Sequence, residues 1–274
     1  MMGGWIMKKA IGALVVTSMV ALAAIGCGDD GDGNPAGGSG GVAGAGGSGG
    51  TGGIDGATFS ISGNAFSFAP PGFPGWGRIV GGTVTVLEMP EYSTTTVEDG
   101  FFILEDLPAN QEITLVLEAE DYPTTHTKTF VLTDSDVEEV TFQVPALSLY
   151  DALALAIGAT LSEDKCQLVS TVTILGGSLY LPGAHGEAGA TVAIDPPDDN
   201  ADGPIYFNED VIPDRSWTET SSDGGIVFVN TEPGDYILSA TKAGVVFESV
   251  KLKCRAGVLA NASPPHALQV IEYQ

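Results

Sequence analysis

Cations are scarce in this chain. Its 274 residues hold ten Lys and Arg against 35 Asp and Glu, a formal charge of −25. A polyphosphate partner requires clustered Lys and Arg to displace condensed counterions, and no stretch supplies a cluster, which excludes nucleic acid. Histidine is limited to His126, His185 and His266. None is followed by Glu three residues on, so the His-x-x-Glu pairing of zinc peptidases is missing, and His185-Gly-Glu187 is too short for it. The three are scattered, and their spacing assembles neither a catalytic triad nor a metal ligand set. Cysteine is confined to Cys27, Cys166 and Cys254. No apolar run reaches the roughly 20 residues that cross a bilayer comfortably. Hydrophobic residues still make up 43% of the chain, enough to build the cores of one large domain or two of ordinary size.

The apolar run from Ala10 to Gly26 has 17 residues, with Lys8 and Lys9 before it and Cys27, Gly28, Asp29 and Asp30 after it. That is the order of an export signal. Ala24-Ile25-Gly26-Cys27 resembles the lipobox of bacterial lipoproteins, with Ala where Leu is commoner. The resemblance implies that residues 1–26 are removed and that Cys27 is lipidated. Gly28, in place of an Asp directly after the cysteine, implies sorting to the outer membrane of a Gram-negative envelope, facing the periplasm or the surface. An ordinary secretory signal with an incidental Cys27 is the alternative, and Met7 competes with Met1 as the start. Losing residues 1–26 removes two lysines and no acid, which takes the charge from −25 to −27. An anionic membrane surface repels such a chain, so the lipid must hold it there.

Residues 27–57 are mostly Gly, Ser, Ala, Asp and Thr, which form no core. A coil of roughly 30 such residues spans about 30 Å and serves as a spacer. Its matches to GxSxG (37–41) and GxGxxG (44–49) are compositional, because neither lies between a strand and a helix. Beyond it, apolar residues alternate with period two in Phe59 to Ile61, Thr83 to Val86, Ile113 to Leu117 and Val140 to Val144, the pattern of half-buried strands. A helix is predicted over Leu147 to Leu161, and strands resume at Leu168 to Ile174. The two β regions repeat one plan. Gly81 to Val86 aligns with Gly189 to Ile194, and the T-x-x-D-G turn Thr96 to Gly100 aligns with Thr220 to Gly224. Phe101 to Leu104 then aligns with Gly225 to Phe228, and Ile113 to Ala119 with Tyr236 to Ala240. Asp-Gly suits these turns, since Gly accepts positive φ and Asp bonds its own backbone.

This succession resembles the carboxypeptidase regulatory-like, transthyretin-like domain family over about 58 to 146 and 164 to 260. Two departures are Asp121-Tyr122 for the usual Gly-Tyr and Gly225 where an aromatic is usual. The resemblance implies an all-β fold of two tandem transthyretin-like, or prealbumin-like, β-sandwiches with an accessory role and no catalysis. Intradiol dioxygenases share such a sandwich but bind iron through two His and two Tyr, which three scattered histidines do not supply. The expected organisation is a signal peptide (1–26), a lipidated cysteine and Gly-rich linker (27–57), a first sandwich (58–146), a helical connector (147–163), a second sandwich with an acidic insertion (164–262) and a C-terminal tail (263–274).

Cys166 and Cys254 are expected to form a disulfide, since both fall in the second module and export permits oxidation. Buried thiols are the alternative. Asp198-Asp-Asn200-Ala-Asp202-Gly203 followed by Glu209 fits the calcium-loop pattern D-x-[DN]-x-[DN]-G-x5-E. Pro196-Pro197 bars the helix an EF-hand needs before the loop, which leaves a calcium-binding β-loop or a plain solvated acidic loop. No cofactor is expected apart from a structural calcium held by Asp198, Asn200, Asp202 and Glu209. The loop lies within an insertion, because Ala190 to Thr220 is 16 residues longer than Gly82 to Thr96. The Pro-rich stretch Phe66 to Trp76 offers Phe66, Phe68, Phe73 and Trp76 as ligand contacts, or else folds against its own sandwich. Together these readings point to a non-enzymatic binding or structural module, membrane-anchored by lipid, with an envelope protein or a glycan as partner. A carbohydrate-binding surface protein using the aromatic loop and a hydrolase with an unrecognised catalytic set are the alternatives.

Overall fold

A computed structural model describes residues 56–183 and 185–274. The signal segment, Cys27 and nearly all of the Gly-rich linker lie outside these described residues. The fold is all-β with one α-helix. In the first half β1 (Thr58–Phe68), β2 (Gly77–Arg78), β3 (Thr83–Val86), β4 (Ser93–Thr95), β5 (Phe101–Pro108), β6 (Glu112–Glu118), β7 (Thr125–Val131) and β8 (Val137–Pro145) follow one another. Helix α1 (Leu147–Ala156) comes next. The second half opens with β9 (Cys166–Thr173), β10 (Thr191–Asp195), β11 (Asp202–Phe207), β12 (Pro213–Asp214) and β13 (Gly225–Thr231). It closes with β14 (Gly234–Thr241), β15 (Val245–Phe247), β16 (Val250–Cys254), β17 (Leu259–Ala262) and β18 (Leu268–Tyr273).

The two halves share one strand plan. In the first, β1 lies between antiparallel β5 and parallel β8, while β3, β6 and β7 pair in that order to form the facing sheet. In the second, β9 lies between antiparallel β13 and parallel β17, while β10, β14 and β16 form the facing sheet. Alternation decides what each strand buries. Val84 and Val86 of β3 and Phe102, Leu104 and Leu107 of β5 face the first core, and the residues between them face outward.

The repeated turns fold alike down to single hydrogen bonds. Thr96 and Thr220 are both buried, and their hydroxyl oxygens accept from the amides of Gly82 and Ala190, each at 2.9 Å. Their own amides donate to the Gly82 and Ala190 carbonyls. Gly100 and Gly224 follow at φ 67° and 80°. A Cβ on either would lie 2.4 Å from the Ala65 carbonyl or 2.2 Å from that of Val172, so strain and close approach both require glycine there.

The halves are fused by their sheets. β17 pairs in parallel with β9 on one edge and with β7 on the other, which makes one continuous sheet from the first half's β4 to the second half's β12. Leu259 of β17 is buried in the first half's core. Ionic contacts cross the same seam, with Lys253 Nζ at 2.6 Å from Glu88 and 2.8 Å from Glu112.

Several expectations need correction. The helix ends at Ala156, not Leu161, because Gly158 takes a positive φ of 68° and the amides of Ile157, Gly158 and Ala159 close back on the last turn. Residues 263–274 are not a tail. Leu268–Tyr273 is a strand that pairs with β9 and β15, and Ala267, Leu268 and Val270 are buried. The Cys166–Cys254 disulfide is present, with a Cα separation of 5.6 Å. It joins the two facing sheets of the second half, β9 to β16, while the strands that close that half, β17 and β18, pair with β9 through their backbones.

Candidate functional site

An apolar cavity of about 100 Å³ opens between α1, the end of the first half and the outer face of β9 and β13. Leu and Ala dominate α1, both strong helix formers, and no side chain caps its N-terminus, so packing against the sheet must hold it in place. Leu153, Ala154 and Ile157 point toward the cavity, and Val169, Val227 and Val229 form its floor. The hairpin of β11 and β12, which is the insertion in the second half, closes one side with Phe207, Val211 and Pro213. Polar groups are few. Gln167 Oε1 accepts from the Asn230 amide, Asn261 Nδ2 donates to the Gln143 carbonyl, and His185 and Asp223 stand in the wall.

Both titratable groups respond to this setting. Burial pushes the Asp223 carboxyl up to about 6, and the Gly225 amide, donating to Oδ2 at 3.0 Å, only partly opposes it. Burial likewise lowers His185, and a contact with the Gly183 backbone only partly opposes it. Burial raises the Tyr150 phenol in the same wall. The cavity thus combines an apolar body with a weak acid and an imidazole, features suited to holding and orienting a small molecule.

Asp223 carries a pH signature. Its folded value lies above the unfolded one, so the folded state keeps a proton that the unfolded state has released. The stability this contributes is full below about 3.8 and is lost as pH rises through about 6. Asp223→Asn retains an acceptor for the Gly225 amide and carries no charge. It is expected to stabilise the protein at neutral pH by roughly 2 to 3 kcal/mol, with the advantage vanishing below about pH 4. Urea denaturation across that range checks this, and an advantage independent of pH would contradict it.

The aromatic stretch divides into two parts. Phe66 and Phe68 are the end of β1, not a loop, because β1 continues in parallel register with β8 as far as Phe68 opposite Pro145. Both are buried. Phe66 therefore folds against its own sandwich, the alternative raised for this stretch, while Phe68 lines the cavity. Phe66 is the anchor of a small cluster, with Tyr180 edge-on at 5.8 Å, Trp76 at 6.2 Å and the Arg78 guanidinium 3.8 Å above its ring. Phe73 and Trp76 are exposed, at 52% and 55%.

The acidic loop does not gather its four expected ligands. Asp198 Oδ1 accepts from the Asn200 amide and Oδ2 from the Glu232 amide, while Asp202 opens β11 and forms a bidentate pair with Arg215. Asp202 is held below the usual carboxylate range by its hydrogen bonds with Arg215. Glu209 sits in the β11–β12 turn. Among the described residues no group of three or more His, Cys, Asp or Glu is placed to hold a metal ion. The histidines take separate partners: His126 contacts the Lys253 carbonyl and His266 the Glu138 carbonyl, while His185 stands at the cavity.

The cavity escaped sequence reasoning because its lining is drawn from β1, β8, α1, β9, the insertion, β13 and β17. The one local signal was the insertion itself, whose apolar Ile205 and Phe207 sit on strand-like spacing.

No protein-family model matches the chain, and no curated protein matches it. Among solved structures, the Bacillus anthracis TIE protein is similar at 14% identity and a TM-score of 0.25, over 75% of this chain and 33% of that one. GBS52, the minor pilin of Streptococcus agalactiae, is similar at 12% identity and a TM-score of 0.24, over 77% and 95% of the two chains. The shaft pilin SpaA of Lactobacillus rhamnosus GG is similar at 11% identity and a TM-score of 0.22, over 76% and 98%. This chain therefore spans about a third of the TIE protein's length. Overlap at such scores does not establish a common fold, and the architecture rests on the strand pairings themselves.

Proposed function

We propose that this chain is an exported, lipid-anchored and non-enzymatic binding module of the cell envelope, which holds a small apolar ligand in the cavity under α1. The cavity is the observation that carries the reading. An apolar cavity of about 150 Å³ takes up benzene, and the space here, about 100 Å³, is smaller, which suits a short branched chain of a few carbons. The transthyretin-like resemblance and the fusion of the two halves through β17 supply a stiff support for such a site. Export is supported by the signal-like order ending at Cys27 and by the Cys166–Cys254 bridge, which persists in oxidising compartments.

One experiment addresses both parts. Mass spectrometry of protein extracted from membranes should show an acylated N-terminal Cys27 after denaturation and an additional bound mass under native conditions. Val227→Phe, which fills the floor of the cavity, should lose the bound mass and keep the acyl group. An unmodified Cys27 overturns the anchoring, and a native mass equal to the denatured one overturns the ligand. A second reading rests on the exposed rings of Phe73 and Trp76, which offer faces on which sugar rings stack. A glycan array separates it from the first, because joint replacement of Phe73 and Trp76 by Ala must abolish any signal that this loop produces.

A further inference from the structure

The repeat exposes a difference between the two halves at one strand edge. In the second half, β13 is paired on both sides, with β9 along one edge and β11 along the other, in the register Ile205 opposite Val227 and Tyr206 opposite Ile226. Its outer face is covered as well, since Ile157 of the loop after α1 and Ile205 of β11 pack with Val227 and Val229 in a small buried cluster. β5 occupies the same place in the first half. It pairs with β1 on one edge, and no strand among the described residues takes the other.

The uncovered outer face of β5 is apolar. Val97, Phe101 and Ile103 are exposed at 55%, 40% and 39%, and the Val97 amide bonds the Phe101 carbonyl at 2.8 Å, which joins them into one patch. Phe101 and Ile103 align with Gly225 and Val227, so the patch corresponds to the face of β13 that Ile157 and Ile205 help to cover, beside the edge on which β11 pairs. Carboxylates border it: Glu98, Asp99, Glu105 and Asp106 are all exposed. Among the described residues no cation is left to neutralise them. Of the eight Lys and Arg among the described residues, seven are committed to ion pairs and Arg78 lies over Phe66.

We propose that the free edge of β5 receives an extended segment of a partner protein as an added antiparallel strand, with β-branched residues over Phe101 and Ile103 and Lys or Arg at both ends. The second half supplies the geometry, since it carries such a strand at the corresponding position. Beyond the Phe101 carbonyl, which the Val97 amide already occupies, unpaired backbone groups supply affinity and side-chain pockets at alternate positions supply selectivity. The charge of the border selects the partner's ends. A second copy of this chain fits worse. β5 set antiparallel against β5 about Ile103 sets Glu105 of each copy opposite Phe101 of the other and Asp106 opposite Gly100, which crowds the acidic borders of two chains each of formal charge −25. The edge lies apart from the cavity, and its occupancy is independent of what the cavity holds.

The test uses labelled peptides KKTVTIKK, EETVTIEE and KKTPTPKK at physiological salt, with fluorescence anisotropy and hydrogen exchange of the β5 amides as readouts. KKTVTIKK should bind and protect alternate β5 amides. EETVTIEE should bind about tenfold more weakly or not at all, and KKTPTPKK, which cannot complete a ladder, should bind no better. Ile103→Glu should weaken KKTVTIKK by about tenfold, and Glu105→Gln, milder for folding, should weaken it less. Absence of binding, equal binding of KKTPTPKK, or indifference to Ile103→Glu overturns the proposal. So does a concentration-dependent dimer that Ile103→Glu abolishes, which would assign the edge to a second copy.

Discussion

Replacing Cys166 and Cys254 together by Ala is expected to lower the unfolding free energy by about 4 to 5 kcal/mol. The bridge closes a loop of 88 residues, and the chain-entropy penalty removed from the unfolded state grows with the logarithm of that length. Both cysteines are fully buried in the second core beside Leu168 and Leu252, so the cross-link also fixes the spacing of the two facing sheets where they pack. For a fold of this size the loss corresponds to roughly 10 to 20 °C in melting temperature. Urea denaturation of the oxidised protein, the reduced protein and the double variant measures it. Reduced and double-variant proteins should unfold at similar midpoints, well below the oxidised one. Oxidised and reduced midpoints that coincide would mean the unfolded chain is not constrained by the bridge.

The second large effect lies at the seam between the halves. Lys253→Ala should cost about 3 kcal/mol, the usual result of removing one partner from a buried ion pair. Lys253 is 7% exposed and its ammonium joins Glu88 and Glu112, so its removal leaves two carboxylates facing each other without the charge between them. Lys251, more open to water, pairs with Glu112 at 2.6 Å, and Lys251→Ala should cost about 1 kcal/mol or less. The pair of variants separates a buried cation from an exposed one on the same strand. Acid should have a related effect. Hydrogen bonds from Lys251 and Lys253 hold the Glu112 carboxyl down to about 2. Burial alone would raise Glu88, but bonds from Lys253 and the Thr114 amide outweigh it and lower that carboxyl too. Folded values below the unfolded ones give stability that is present above about 4.5 and is lost as pH falls toward 2. Lys253→Ala should therefore flatten the acid limb of the stability profile, and an unchanged limb would place the acid sensitivity elsewhere.

What the sequence disclosed, and what it hid, divides by the range of the interactions. The repeat was legible because its signals are local: each T-x-x-D-G turn is contiguous, and Gly100 and Gly224 are required by their own φ. The disulfide was legible because two cysteines within one module have few choices of partner. The end of β1 was not, since Phe66 and Phe68 look like loop residues beside Pro70 and Pro71 until parallel β8, from the far side of the first half, extends the strand. The partners of the acidic insertion were hidden for the same reason. Asp198 and Asp202 have the spacing of a calcium loop, but Arg215 and the Glu232 amide, both distant in sequence, claim their oxygens. The cavity, lined by segments from Phe68 to Asn261, left no pattern that a single window of sequence can hold.

The position of β17 between β7 and β9 also sets an order of assembly. Strands of the first half are made first, yet their outer sheet lacks its neighbour, and their core lacks Leu259, until the end of the chain arrives. Pairings this distant in sequence are slow to form, because loop closure precedes any gain from the contact. The first sandwich is therefore completed last, by the strand that also finishes the second. A chain cut short before Leu259 would keep every strand of its first half and still leave β7 with a bare edge, open to the wrong partner.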